Sequence, residues 1–111
     1  MGDGRSVFNL GILTISDAGA KGERADTSGD VIVDMMSREG FQVVLRDIVP
    51  DERELISEKL AEWSDGGRVD AILTTGGTGL GPRDVTPEAT REVIDLEVPG
   101  IGEAIRIETL G

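Results

Sequence analysis

Residues 69–84 read VDAILTTGGTGLGPRD, and the fold turns on this stretch. Val69 to Thr75 is a short apolar run of the kind that forms a strand buried on both faces. It passes directly into a glycine-rich loop from Gly76 to Asp84. Glycines placed straight after a strand let the backbone fold tightly and turn N–H groups toward an anion. Thr75 and Thr78 add hydroxyl donors. Two familiar phosphate loops are excluded. A P-loop ends in Gly-Lys-Ser/Thr, whereas Pro82-Arg83 follows Gly81 here. The dinucleotide fingerprint is G-x-G-x-x-G, whereas Gly77, Gly79 and Gly81 simply alternate. For the glycines alone, a tight turn with no ligand competes evenly with an anion cradle.

Upstream, Val7 to Ser16 and Phe41 to Val49 read as two further strands, each rich in β-branched residues. Between them lies a polar loop, Asp17 to Asp26. Thr27 is the expected N-cap of a helix whose apolar face is Val31, Ile32, Met35 and Met36 and which Gly40 ends. Asp51 to Ser64 predicts a second amphipathic helix, with Leu55, Ile56, Leu60 and Trp63 inward and a capping-box-like Asp51-x-x-Glu54. Its acids Glu52, Glu54, Glu58 and Glu62 read as a solvated face. Downstream, Thr86-Pro87-Glu88 is a helix start signal, predicting a helix to about Leu96. Ile101, Ala104 and Ile105 suggest one more short helix. The order β-α-β-α-β-loop-α-α predicts a three-layer α/β/α fold around a mostly parallel central sheet. Residues 1–111 read as one domain.

Composition narrows the chemistry. With 111 residues, 22 Asp and Glu against 11 Lys and Arg, the formal net charge is −11. There is no Cys and no His, which excludes disulfides, Cys/His zinc sites and any nucleophile worked by a histidine. The acidity opposes duplex nucleic acid and anionic membranes, and no basic patch offsets it. No apolar run approaches a membrane span and no signal peptide is visible, so a cytoplasmic location is expected.

In open α/β sheets, ligands bind beyond the C-terminal strand ends. Ser16-Asp17, Pro50-Asp51 and the Gly76–Asp84 loop each follow a strand. If those strands are parallel neighbours, the three segments meet at one edge. Taken singly, Asp51 is adequately explained as a helix cap and Asp84 as a turn residue. Taken together beside an anion loop, two carboxylates suit Mg²⁺, which takes one or two carboxylates along with waters and substrate phosphates. Arg83 reads evenly as a phosphate contact or a solvated side chain.

The run Leu73 to Gly79, followed by Pro82-Arg-Asp-Val-Thr-Pro87, resembles the signature of the molybdopterin-binding family that includes the cofactor-biosynthesis proteins MogA and MoaB. Ile15-Ser-Asp17, Asp26-Thr-Ser-Gly29, Val49-Pro-Asp-Glu52 and Pro99-Gly-x-Gly-Glu-Ala-x-Arg106 are similar to that family's other motifs, so the resemblance covers nearly the whole chain. It implies Mg-ATP-dependent transfer of AMP to the terminal phosphate of molybdopterin, with release of pyrophosphate. By position it implies that Asp51 and Asp84 serve Mg²⁺ and catalysis. It further implies that Ser16, Asp17, Thr75, Gly76, Gly77, Thr78, Gly79 and Arg83 line the substrate pocket. It also implies a homotrimer or hexamer and a handover to a metal-insertion enzyme. Family members continue past the position of Gly111, so the domain is expected to be C-terminally incomplete. The alternative is a molybdopterin-binding or scaffold module without catalysis.

Overall fold

The computed structural model describes residues 8–22, 26–76, 86–98 and 103–110. The elements run β1 (Asn9–Ile15), α1 (Asp17–Ala20), α2 (Thr27–Arg38), β2 (Gln42–Val49), α3 (Arg53–Gly66), β3 (Ala71–Gly76), β4 (Thr90–Val98) and β5 (Glu103–Leu110). One five-stranded sheet has the order β2-β1-β3-β5-β4. β1 pairs in parallel with both β2 and β3, while β3–β5 and β5–β4 are antiparallel. The sheet is therefore parallel where the sequence predicts strands and antiparallel beyond.

Helices cover both faces. Leu13, Ile15 and Ile72 pack beneath Ile56, Leu60 and Trp63 of α3. Leu10, Ile12, Ala71, Leu73 and Ile105 pack with Ile32 of α2. Alternation along β1 thus feeds two separate cores, which is why the strand reads as an unbroken apolar run. Gly11 faces α3, and a Cβ there would lie 2.8 Å from Trp63 Cε3. The helix rests on the sheet at a point where any side chain would stand in the way.

The inward face of α2 is Ile32, with Val33 and Met36 packed against it, while Val31 and Met35 point outward. Asp26, not Thr27, caps this helix, its side chain accepting from Gly29 N–H. Gly40 follows the last turn at φ 95°. In α3, Ile56, Leu60 and Trp63 are buried while Leu55 is exposed. Its N-cap is Glu52, without a side-chain cap bond, so the capping-box reading of Asp51 and Glu54 does not hold.

The two expected C-terminal helices are replaced by β4 and β5. The Thr86-Pro87-Glu88 signal produces only one turn, closed by Thr90 N–H donating to the Pro87 carbonyl at 3.0 Å. After it, β-branched residues supply most of the apolar positions: Val93, Ile94, Val98, Ile105 and Ile107. Such side chains lose rotamer freedom in a helix and pack well on a pleated sheet. In β5 the alternation is plain, with Ile105 and Ile107 on the α2 face and Arg106 and Glu108 on the α3 face. Arg106 meets its register partner Asp95 across the hairpin, Nε to Oδ1, at 2.9 Å. Among the described residues no helix is long and apolar enough to cross a membrane.

Glu108 is the anomaly of the core. It is fully buried on β5, and neither carboxylate oxygen meets a hydrogen-bond partner among the described residues. Burial pushes its carboxyl from an ordinary 4.5 up to about 7; the Thr86 hydroxyl, which approaches without reaching hydrogen-bond geometry, and the Arg106 charge oppose the shift, and the Asp95 charge adds to it. The Thr74 and Thr90 hydroxyls on the same face are likewise buried without a partner.

Two outcomes are expected in urea denaturation. A carboxyl whose folded pKa is raised stabilises fully below its unfolded value, and this contribution is lost as pH rises through the folded value. Glu108→Gln should therefore gain stability over the parent between pH 5 and pH 8, on the order of 2–3 kcal/mol. A constant difference between the two proteins across that range would contradict the burial of an unpaired carboxyl. Gly11→Ala should cost about 1–3 kcal/mol by overpacking against Trp63, read as a lowered midpoint at unchanged slope.

Candidate functional site

The parallel half of the sheet ends flush. Ile15, the last residue of β1, is in register with Val49 at the end of β2 and with Gly76 at the end of β3. Ser16 N–H extends the β1–β2 ladder by donating to the Val49 carbonyl at 2.9 Å. Ser16-Asp17, Pro50-Asp51 and Thr75-Gly76 are therefore neighbours at one edge, as the sequence predicts for parallel strands. Gly77, Thr78, Gly79, Arg83 and Asp84 lie outside the described residues.

The side chains at this edge are already engaged with the fold. Ser16 caps the single turn of α1, its Oγ accepting from Gly19 N–H at 3.0 Å. Asp17 Oδ1 accepts from the backbone N–H of Asp51 at 2.8 Å. Asp51 itself is half-buried. Thr75 is fully buried on the face covered by α2, opposite Ile105.

A second cluster, not foreseen as such from the sequence, stands beside the edge. Asp26 uses one oxygen to cap α2, while its Oδ2 accepts from Thr14 Oγ1 at 3.1 Å and from Arg46 Nη2 at 3.0 Å. Arg46 also pairs with Asp30 at 2.7 Å. Burial works against the Arg46 charge, but the hydrogen bonds and charges of Asp30 and Asp26 raise its pKa above the ordinary value. The side chain of Asp26 is only 8% exposed, so this end of the link is sheltered, while most ion pairs among the described residues have both side chains more open. It ties β1, β2 and the start of α2 together. Gly19, Ala20, Asp26, Arg46, Asp47 and Ile48 line an open cleft of about 420 Å³ there. The available signal was the Asp of Asp26-Thr-Ser-Gly29, a better cap than the Thr that follows it.

Among the described residues no group of three or more Asp, Glu, His or Cys gathers as a metal cluster. What the edge offers is carboxylate oxygens and backbone donors at the ends of parallel strands. In open α/β sheets this is the position at which ligands are taken.

Comparison with known proteins makes the class specific. Residues 11–109 match the family model described as "Probable molybdopterin binding domain", and the chain belongs to that family. It is 39% identical over 106 residues to a molybdopterin adenylyltransferase of Helicobacter pylori, covering 94% of this chain and 60% of that one. It is 42% identical over 104 residues to the molybdenum cofactor synthesis protein cinnamon of Drosophila melanogaster, covering 93% of this chain and 17% of that protein. Among solved structures, the molybdopterin biosynthesis enzyme MoaB of Thermus thermophilus aligns with a TM-score of 0.62 at 50% identity, covering 86% of this chain and 60% of that one. The chain thus spans three fifths or less of the length of these relatives.

Asp26→Ala removes a helix cap and leaves the Thr14 hydroxyl without its acceptor. It should cost on the order of 2–4 kcal/mol in chemical denaturation. Asp30→Ala breaks only the exposed half of the Arg46 pairing and should cost less than about 1 kcal/mol. Equal losses in the two variants would contradict the role assigned to Asp26.

Proposed function

We propose that this chain acts in molybdenum cofactor biosynthesis as a molybdopterin adenylyltransferase, transferring AMP from Mg-ATP to molybdopterin. The observation that carries the reading is the flush edge, with Asp51 held at the end of β2 and, across β1, level with the end of β3, the strand that leads into the glycine-rich loop. The names of relatives at 36–40% identity support it. Their greater length makes the activity a property to be tested on this chain.

The residues suit the reaction. An oxygen of the terminal phosphate of molybdopterin attacks the α-phosphorus of ATP. One P–O bond forms, the bond to the β-phosphate's bridging oxygen breaks, and pyrophosphate leaves with the electron pair. The attacking group is already an anion, so no histidine or cysteine is required to remove a proton. Positioning and charge stabilisation carry such transfers. Thr75 and Gly76 lead the chain into the loop whose backbone N–H groups would hold a phosphate. Carboxylate oxygens are the hard ligands Mg²⁺ prefers, so Asp51, together with Asp84, fits as its holder. When bound, Mg²⁺ supplies neutralisation of phosphate charge. The Asp17 and Asp26 contacts keep the strand ends and α2 in fixed relation around the substrates.

Incubation with molybdopterin and Mg-ATP should yield adenylylated molybdopterin and pyrophosphate. Asp51→Asn and Asp84→Asn should each lower kcat by about a hundredfold or more, with little change in the urea midpoint. Full activity in both variants would sink the assignment. Binding of molybdopterin without product would replace it with a non-catalytic pterin-binding module.

A further inference from the structure

The hydrogen bond between Asp17 and Asp51 joins residues 34 positions apart at the end of the sheet. Its cause is local. The β1–β2 ladder runs one step past β1 through Ser16 N–H and the Val49 carbonyl. The next residue of β2 is Pro50, which has no N–H to donate. The first donor beyond the strand is therefore the Asp51 N–H, and the Asp17 carboxylate takes it. On its other side Asp51 is closed by Glu52 N–H donating to the Pro50 carbonyl at 2.7 Å, and the Glu52 carbonyl then accepts from Ile56 to open α3. The Asp51 backbone is pinned from both directions between the end of β2 and the start of α3.

α1 is built to deliver that carboxylate. Asp17 is the first residue of its single turn, and Ser16 caps it. Gly19 brings the turn close to β2: a Cβ there would lie 3.3 Å from Ile48 Cγ2 and 3.2 Å from Ser16 Oγ. Those contacts would be tight, so the glycine lets the turn, and Asp17 with it, lie close against the strand end.

We propose that Asp17 is a positioning residue, its carboxylate oxygen fixing the Asp51 backbone and hence the placement of the Asp51 side chain, rather than a substrate or metal contact. The assignment rests on the reading of Asp51 given above. It requires an acceptor oxygen at residue 17 and does not require a charge there.

Asp17→Asn retains a carbonyl acceptor of the same reach, and Asp17→Ala removes it. Amide hydrogen exchange followed by NMR reads the bond directly, without reference to catalysis. The Asp51 N–H should lose protection in Asp17→Ala and keep most of it in Asp17→Asn. In the AMP-transfer assay Asp17→Ala should lower kcat by about tenfold to a hundredfold, with a smaller change in KM for Mg-ATP, as expected when a reacting geometry loosens. Asp17→Asn should recover most of that loss. An Asp51 amide equally protected in the alanine variant overturns the proposal. So does an asparagine variant as impaired as the alanine one, since charge would then be what residue 17 supplies. If the parent protein transfers no AMP, the adenylyltransferase reading fails while the exchange comparison still decides the role of Asp17.

Discussion

The structure depends on β1 being paired on both sides and covered on both faces. Every residue from Leu10 to Ile15 is buried. A strand so placed cannot slip by one residue without moving Leu13 and Ile15 away from α3 and Leu10 and Ile12 away from α2. Its register therefore also sets where β2 and β3 stop, and the three chain segments leaving those strands emerge level with one another. The candidate site is a by-product of this packing: hydrophobic burial fixes the strands, and the strands bring Ser16, Asp17, Asp51, Thr75 and Gly76 to a common edge.

Polar contacts then hold the edge in detail. Ser16, Asp17 and Asp26 each hand an oxygen to a backbone N–H at the start of a helix or the end of a strand. In a chain of net charge −11, carboxylates are the groups in supply, and several serve here as backbone acceptors. Arg46 offsets part of the resulting negative charge by facing both Asp26 and Asp30. The acidity that disfavours polyanionic partners at long range is thus consistent with a small phosphate ligand. Under the proposed function such a ligand would be met by backbone donors and a divalent cation over distances where local geometry outweighs net charge.

Legibility from sequence followed the strength of the local signal. β1 and β3 were readable because buried parallel strands leave apolar runs, and β2, an edge strand with Gln42, Arg46 and Asp47 exposed, because its Val and Ile residues favour a strand and Pro50 ends it. α2 and α3 were readable because Ile32 and Met36, or Ile56, Leu60 and Trp63, recur at helical spacing. The convergence at the edge followed from strand order alone. The segment after Thr86 was misread because a strong start signal outweighed the residues behind it. Thr-Pro-Glu describes how a turn begins, but what continues it depends on the side chains that follow, and Val93, Ile94, Ile105 and Ile107 favour a pleat. The capping roles were less visible still. Asp26 is a somewhat better cap than Thr27 by residue type, and the contacts to Thr14 and Arg46, from strands distant in sequence, add what the local sequence does not show. Glu108 gave no signal at all, since its burial is decided by the pairing of β5 between β3 and β4.

The placement of β4 has a consequence for how the protein behaves in company. It is the outermost strand on its side of the sheet, and Val93, Ile94 and Leu96 are substantially exposed on it. A strand margin of that character is a template on which other chains can add themselves. Along β4 the apolar residues are interrupted by Arg91, Glu92, Asp95 and Glu97. Any foreign strand docking there would have to strip water from charges at nearly every second position. Interspersed charge of this kind acts as a gatekeeper against aggregation.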